Sequence, residues 1–275
     1  MIDYTLPFDA YLQLDAVSST ELKHILVSAA EYYHRKHFAS KEDTQATKLG
    51  TAIHAAILEP EAFDKNYVWE TEKIENKVSG DGRKAWDSFK KEHAGKHILS
   101  YDDGLKIHVL RDQVLKESPL LTEILSQGVA EVSATADLDG IPCKARTDFL
   151  TLDNAMWDIK TTSEDIFTGD NRIERLISKW LYHLQMAHHM AVFEANGVAV
   201  KSYGWIFVTT QTEVPYIYIV MASSLLVEYA KQAHLSCLYK LKKCMETNNW
   251  HGLEQHEIHE VSLLYAQQKK LPGFR

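Results

Sequence analysis

The 275-residue sequence has no apolar run that approaches the roughly 18 residues needed to span a bilayer. Its first residues, MIDYTLPFDAYLQLD, are acidic and do not resemble a secretory signal. The only cysteines are Cys143, Cys237 and Cys244, and they form no CxxC pair. Because an iron–sulfur cluster normally takes about four thiolates, such a cluster is excluded. We therefore expect a cytoplasmic protein with reduced thiols and no membrane contact.

The sequence also lacks an excess of basic residues. Its 30 Lys and Arg stand against 38 Asp and Glu, which gives a net charge of −8. Non-specific affinity for nucleic acid comes from Lys and Arg that release counterions from phosphates, so the charge excludes a protein that coats nucleic acid. It does not exclude a nucleic-acid enzyme, because a channel can be locally basic and a carboxylate site adds negative charge.

Signature motifs of several enzyme classes are missing, namely the P-loop, the Rossmann glycine signature and GxSxG. His256-Glu257-Ile258-His259-Glu260 lacks the spacing of the HExxH motif, which argues against a zinc protease. No internal repeat or Pro/Ser-rich linker divides the chain, so we expect one domain over residues 1–275. Its expected parts are a helical region at about 1–127, a sheet core at about 128–222, and a helix and tail at about 223–275.

Helical spacing dominates the first half of the chain. Ser18-Ser19-Thr20-Glu21 predicts a capping box, and apolar residues follow it at helical intervals. Residues 47–58 and 104–116 repeat the pattern.

Near residue 128 the period changes from 3.6 to 2. Three strands are predicted, with tight turns at Asp139-Gly140 and Asp153-Asn154. A helix, two more strands and a last helix follow, which together predict an α/β (α+β) fold with a mixed sheet. The predicted elements are strands 128–139, 141–152 and 155–161, helix 172–195 ending at Asn196-Gly197, strands 198–210 and 214–221, and helix 223–246.

Charged residues on two neighbouring predicted strands form the strongest candidate site. Residues two apart in a strand point to one face, so Asp158 and Lys160 project together while Ile159 enters the opposite layer. The short turn before them places Asp148 near Asp158, at roughly 5 Å. Such a group serves phosphodiester hydrolysis, in which carboxylates hold divalent cations and an ammonium acts on the attacking water or the phosphate. The alternative is a surface ion-pair ladder, and [D/E]-x-K also occurs by chance at Glu21-Leu22-Lys23.

Two parts of the sequence resemble a known nuclease family. The strands with Asp148 and Asp158-Ile159-Lys160, followed by a helix with Gln185, resemble the core of the PD-(D/E)xK nucleases. Lys48-Leu49-Gly50-Thr51-Ala52-Ile53-His54 resembles the upstream histidine motif of the RecB and RecE branch. The chain is therefore similar to the RecE-like (exonuclease VIII) family from about residue 18 to about residue 246.

The resemblance implies a fold and an activity. The fold is a restriction-endonuclease-like core, in which helices flank a central mixed β-sheet, with an N-terminal helical extension. The activity is Mg²⁺-dependent digestion of linear double-stranded DNA from 5′ to 3′, which leaves 3′ single-stranded tails for recombination and repair. Two Mg²⁺ ions per site are implied, with Mn²⁺ as an alternative. Implied partners are DNA ends, further copies in a ring-like homo-oligomer and a RecT-like annealing protein, in a bacterial or phage-encoded system.

The resemblance also assigns roles to individual residues. It makes metal ligands of Asp148, Asp158, His54 and the backbone carbonyl of Ile159. It makes Lys160 the water-activating or phosphate-stabilising residue, adds Gln185 from the following helix, and matches Glu131 to a further acid near the metals. The alternative for His54 is a buried, hydrogen-bonded core histidine, because apolar residues surround it in the sequence.

The match has two departures. Thr147 precedes Asp148 where the superfamily name has proline. His189 occupies the tyrosine position of the Gln-x-x-x-Tyr motif that begins at Gln185. Tyr182 lies on the same helical face, so it either replaces the missing ring in part or packs against the sheet.

Basic residues near this core are candidates for DNA binding. Arg146 shares a strand face with Asp148, so it either contacts the scissile phosphate or pairs with Asp148 or Glu131. A stripe on the following helix either follows the DNA backbone or is an ordinary solvated face. The candidates there are Arg172, Arg175, Lys179 and Tyr182.

Two other functions remain open at this stage. The first is an endonuclease or a RecB-like nuclease module with the same core, which would cut covalently closed DNA. The second is an inactive DNA-binding scaffold, against which the two aspartates and the lysine argue.

Overall fold

The computed structural model describes residues 1–39, 44–116, 118–167, 169 and 171–252. The first part of the chain is mostly helical, with α1 (Phe8–Gln13), α2 (Ser19–Val27), α3 (Ala29–His37), α4 (Gln45–Leu58), α5 (Pro60–Asn66), α6 (Gly80–Glu92), α7 (Tyr101–Val109), a π-helical segment (Leu110–Leu115) and α8 (Pro119–Leu125). It also contains the short strands β1 (Ile2–Asp3), β2 (Tyr67–Val68) and β3 (His97–Ile98). The second part holds β4 (Gly128–Leu138), β5 (Ile141–Thr151), β6 (Ala155–Thr162), α9 (Arg172–Lys179), α10 (Tyr182–Glu194), β7 (Ser202–Thr209), β8 (Ile217–Met221) and α11 (Ser224–Thr247).

A six-stranded mixed sheet forms the centre of the molecule, in the order β1-β4-β5-β6-β7-β8. Strands β6 and β7 are parallel, and the other neighbouring pairs are antiparallel. One face packs against α2, α3, α10 and α11, and the other packs against α4, α7 and α8. The predicted α/β (α+β) class, a mixed sheet flanked by helices after a helical N-terminal part, is confirmed.

The turn at Asp139-Gly140 sets the register of the central hairpin. Both residues have positive φ, of 57° and 84°, as a two-residue hairpin turn requires. Leu138 therefore pairs with Ile141, and the same register continues to Gly128 opposite Thr151. The predicted meander of three strands is present as β4, β5 and β6.

The predicted helix over residues 172–195 is wrong as a single element. Leu181 has a φ of 53° and separates α9 from α10. No Gly or Pro marks this break in the sequence, and Leu181 packs against the core on the α10 side of the sheet. Helix α9 is basic and mostly exposed, whereas most residues of α10 are buried. The two helices therefore pack differently against the sheet.

The N-terminal part is not purely helical, because β1 pairs with β4 at the edge of the sheet. A two-residue strand carries no periodic signal, which is why the pattern misses it. The strands predicted from residues 198 and 214 begin later, at Ser202 and Ile217. Most of the predicted tail, residues 253–275, lies outside the described residues. No helix in the described part of the chain is both long and apolar enough to cross a membrane.

Candidate active site

Three neighbouring strands bring the predicted acids together. The hairpin register places Glu131 of β4 directly opposite Asp148 of β5, because Ala130 pairs with Phe149 and Val132 with Thr147 on either side. In the next pair of strands, Phe149 faces Trp157, so Asp148 falls opposite Asp158.

The backbone pairing between β5 and β6 ends at these acids. The last backbone pairing is between Phe149 and Trp157, and the Asp148 side chain takes over beyond it. Its Oδ2 accepts a hydrogen bond of 2.6 Å from the backbone N–H of Ile159. The carboxylate of Asp148 is therefore fixed against β6 by the backbone of the strand that carries Asp158.

At Glu131, which has a φ of 57°, the side chains of β4 switch from one face of the sheet to the other. Ala130 packs with the core on the α4 side, whereas Val132 packs with the core on the α10 side. Residues two apart in a regular strand would face the same way. A left-handed conformation is uncommon for a glutamate and is most often found at functional or turn positions.

Helix α4 brings His54 to the acids. His54 Nδ1 lies 3.5 Å from Asp148 Oδ2. The helix can approach β6 closely because it has Gly50 where a Cβ atom would lie 3.2 Å from Thr161 Oγ1. One ligand atom each from His54, Glu131 and Asp148 lies within 4.8 Å of the others, so these three residues could hold a metal ion.

A second group surrounds Asp158, which is almost fully buried. Gln185 Nε2 of α10 donates a hydrogen bond of 2.9 Å to Asp158 Oδ1. Asp158 Oδ2 forms an ion pair with Lys160 Nζ and accepts no hydrogen bond from any other described residue. The Tyr182 ring covers Lys160, with 4.9 Å between Nζ and the ring centroid.

Burial and mutual repulsion shift the pKa of most of these groups. Burial, reinforced by the charge of Asp158, raises the pKa of Asp148 to about 8. Burial and the charge of Asp148 raise the pKa of Glu131. Burial alone would lower the pKa of Lys160, but the two aspartates outweigh it and the net pKa is raised. Burial and the charge of Lys160 lower the pKa of His54.

This donor set fits a divalent cation. Hard cations such as Mg²⁺ take carboxylate oxygens, and a neutral imidazole can add a nitrogen ligand. Burial and the neighbouring carboxylates raise the pKa values of Asp148 and Glu131, and a bound cation would offset both effects. The buried Asp158 Oδ2, which accepts no hydrogen bond from the described residues beyond its ion pair with Lys160, could add a further oxygen ligand.

The cluster opens into a cavity of about 820 Å³. His54, Glu131, Asp148 and Gln185 line it, together with residues of α1 and α2. Its basic lining residues are Lys36, Lys144 and Arg146.

The basic residues predicted to bind DNA lie in two places. Arg146 lines the cavity, and its Nε is 2.5 Å from Glu131 Oε2, so the ion pair with Glu131 is the alternative that the structure shows. Its guanidinium also donates to Ser133 Oγ at 2.7 Å and to the Leu6 carbonyl at 2.8 Å. The stripe on α9 lies away from this cavity and lines a smaller pocket with acidic neighbours. Its members are Arg172, Arg175 and Lys179, and Lys179 pairs with Glu164 at 2.9 Å.

Two further residues, Lys23 and Tyr203, enter the site without a local sequence signal. Lys23 of α2 lies 5.4 Å from the Tyr182 ring centroid, and burial together with Lys160 lowers the Lys23 pKa to about 8. His189, in the tyrosine position of the helix motif, lines the cavity and lies 3.4 Å from the Tyr203 hydroxyl. Tertiary packing alone brings α2 and β7 to these positions, so residue spacing could not have indicated them.

Comparison with known proteins identifies the class. The chain belongs to the family described as PDDEXK-like domain of unknown function (DUF3799), whose model matches residues 18–257. This confirms the predicted PD-(D/E)xK superfamily. A search of curated proteins found no match.

Solved structures that resemble this chain to different degrees come from several bacteria. An inferred exonuclease from Eubacterium rectale is 14% identical, with a TM-score of 0.57 over 94% of this chain and 97% of that one. A phage-related exonuclease from Haemophilus somnus is 12% identical, with a TM-score of 0.33 over 72% and 95%. An alkaline exonuclease from Laribacter hongkongensis is 11% identical, with a TM-score of 0.31 over 74% and 93%. The first likeness shows a shared fold, and the other two are too distant to carry an argument.

Proposed function

We propose that this protein is a Mg²⁺-dependent exodeoxyribonuclease that digests linear double-stranded DNA from 5′ to 3′. The observation that carries the proposal is the pairing of two groups in one site: the His54, Glu131 and Asp148 cluster, and Asp158 with Lys160 and Gln185 beside it. Phosphodiester hydrolysis needs both a cation-binding acidic group and a positive side chain for the phosphate. Residues 1–275 would act as one nuclease domain.

The proposed ligands are His54, Glu131, Asp148, Asp158 and the carbonyl of Ile159. Bound Mg²⁺ would supply Lewis acidity toward the phosphate and lower the pKa of a water molecule. Two ions per site would use the two groups of ligands, and Mn²⁺, which takes the same oxygen ligands, is the expected substitute.

The other residues have roles that follow from their contacts. Lys160, whose ammonium pairs with the Asp158 carboxylate, is assigned to stabilising the phosphate or to activating the water. Gln185 orients the Asp158 carboxylate through its hydrogen bond. Tyr182 restricts Lys160 by covering its ammonium. Arg146, already paired with Glu131, would hold that acid in place and contact DNA phosphates from the same position.

The finer points of this proposal rest on the RecE-like resemblance. It suggests 3′ single-stranded tails as product, a recombination or repair role, and a RecT-like annealing protein as partner. It also suggests a cytoplasmic location, with the gene carried by a bacterium or by a phage. The Eubacterium rectale structure that shares the fold is named as an inferred exonuclease, which is consistent with the end-dependent reaction.

The test is a digestion of duplex DNA labelled at either the 5′ or the 3′ end. We expect wild-type protein to release the 5′ label first, with Mg²⁺ and not with EDTA, and to spare covalently closed circles. Asp158→Asn should reduce the rate at least about a thousandfold, because a carboxylate that binds metal contributes several kcal/mol to transition-state stabilisation. Cutting of closed circles would indicate an endonuclease instead. Activity of Asp158→Asn within about tenfold of wild type would contradict the assigned site.

A further inference from the structure

A row of aromatic rings leads from Lys160 to the edge of the sheet. Lys160 pairs with Phe207 on β7, and Phe207 pairs with Tyr218 on β8. Paired residues share a face of the sheet, so Tyr218 lies on the Lys160 face, roughly 10 Å and two strands away. The Tyr182 ring, which covers Lys160, lies 6.3 Å from the Phe207 ring. The aromatic edge of β8 therefore lies on the same face of the sheet as Lys160, with the buried Phe207 between them.

Three of the aromatic side chains at this edge form one exposed cluster. The Phe167 ring lies 5.6 Å from that of Tyr216 and 5.9 Å from that of Tyr218, in both cases edge-on. Phe167 and Tyr216 are 51% exposed and Tyr218 is 44% exposed. Phe167 thus joins two tyrosine rings into one patch that stays about half exposed, and contiguous exposed patches of this kind often mark a binding surface.

Basic side chains of α9 follow this cluster in the chain, and the pocket that they line also includes the acidic Glu164 and Asp165. The loop that carries Phe167 contacts α9, because a Cβ atom on Gly169 would lie 3.2 Å from Arg172 Nε. Arg172, Arg175 and Lys179 are all exposed on α9. The loop and α9 also connect Lys160 to Gln185 along the chain, so the cluster belongs to the segment between two proposed site residues.

We propose that Phe167, Tyr216 and Tyr218 form a stacking platform for unpaired bases of single-stranded DNA beside the active site. The inference rests on the proposed function, which generates single strands. Every base has a flat π face, so exposed rings bind single strands without sequence preference, and neighbouring guanidinium groups contact the phosphates. The proposed reaction generates such a strand, and the exposed cations of α9 match its phosphates, so we name single-stranded DNA rather than an apolar peptide or a second copy of the chain as the occupant.

The experiment measures binding of the full chain in EDTA, so that no hydrolysis occurs. Fluorescence anisotropy would follow a dye-labelled single-stranded oligonucleotide, and 2-aminopurine within it would report stacking by quenching. We expect Tyr216→Ala with Tyr218→Ala to weaken the affinity roughly fivefold to a hundredfold and to abolish part of the quenching. The salt dependence should be unchanged, because no phosphate contact is lost. Tyr216→Phe with Tyr218→Phe should bind like wild type, since the rings remain.

Matched controls separate stacking from general effects. Tyr229→Ala and Tyr239→Ala remove exposed tyrosines of α11, which are 62% and 65% exposed, and should leave binding unchanged. Thermal melts and light scattering would check fold and mass for every variant. Unchanged affinity and quenching in the double alanine variant would overturn the platform. So would a change in mass, which would make the cluster a contact between copies, or equal losses in the phenylalanine variants.

Two outcomes keep this inference distinct from the proposed function. If the wild-type protein digests duplex ends but its affinity for single strands does not depend on the three rings, only the platform is contradicted. Failure to digest any DNA with Mg²⁺, combined with ring-dependent binding of single strands, contradicts the proposed function and supports the platform.

Discussion

At the scale of single residues, the acids of the site oppose folding when no metal is bound. Burial raises the pKa of Asp148 from 3.8 to about 8, so the folded state prefers the protonated form. Ionising Asp148 therefore lowers the free energy of unfolding as the pH rises from about 4 to about 8. Acid conditions relieve this penalty, and a bound cation would relieve it at neutral pH.

Asp148→Asn should remove this pH dependence. In EDTA at pH 8.5 we expect the variant to exceed wild type in unfolding free energy by on the order of 1–3 kcal/mol, with the difference vanishing near pH 4. Urea denaturation at both pH values measures it. Glu213→Gln, which neutralises an exposed acid, is the control and should show no such gain. A variant less stable than wild type at pH 8.5 would contradict the repulsion.

Gln185 and His189 lie on the same helix but differ in their contacts. Gln185 donates to Asp158, whereas His189 lies near the Tyr203 hydroxyl and has a pKa far below its usual range because it is buried. We therefore expect Gln185→Ala to lower kcat about tenfold or more, and His189→Ala to lower it less. Initial rates on linear duplex with Mg²⁺ would decide. The reverse order would give His189 a role that its contacts do not explain.

Several site residues could be predicted from short-range rules. Asp158 and Lys160 share a face by alternation, and the short turn places Asp148 near them. The Asp139-Gly140 turn also implies the position of Glu131, because counting back from Leu138 opposite Ile141 brings Glu131 opposite Asp148. His54 could be suggested only by resemblance, since its approach depends on how α4 packs against β6. The sites assigned to DNA on α9 stay a prediction.

At the scale of elements, Gly50 sets the distance between α4 and β6. Alanine at this position would place its Cβ 3.2 Å from Thr161 Oγ1, so the helix would have to shift by a few tenths of an ångström. The shift would carry His54 away from Asp148. Stability should change little, because alanine favours a helix by about 1 kcal/mol over glycine and offsets the contact.

Gly50→Ala is therefore expected to weaken the response of the melting temperature to Mg²⁺ and to reduce the digestion rate several-fold. Adding Thr161→Ala removes the contacted Oγ1 and should restore both quantities. Thr161→Ser keeps that oxygen and serves as the control, which should not restore them. Equal behaviour of the two double variants would show that Gly50 does not act through Thr161.

Periodicity in the sequence predicted the long helices and strands, but it did not predict the helix break or the short edge strand. The hairpin of β4 and β5 combines alternation with a turn whose residues tolerate positive φ, so two independent signals agree. The break between α9 and α10 depends on a leucine held at a φ of 53° by packing, which overrides its local preference. Strand β1 exists because β4 offers a free edge, and that edge is known only once the sheet is assembled.

At the scale of the whole molecule, a net charge of −8 makes non-specific retention on DNA weak. A nuclease that digests long DNA must then be held by another means. The RecE-like resemblance suggests a ring-like homo-oligomer that encloses its product strand. A closed symmetric ring would let a few basic residues of each subunit act on one strand and raise their effective concentration.

The ring predicts processive digestion whose loading and elongation respond differently to salt. Initial capture of an end depends on long-range attraction, so loading should slow steeply as salt rises. Elongation should persist, because enclosure does not depend on phosphate contacts. Single-turnover digestion of long duplex, started before an excess of unlabelled competitor is added, separates the two steps, and Asp158→Asn serves as the uncleaving control. Distributive digestion after the chase, together with a mass near 31.4 kDa by light scattering at the working concentration, would exclude the ring.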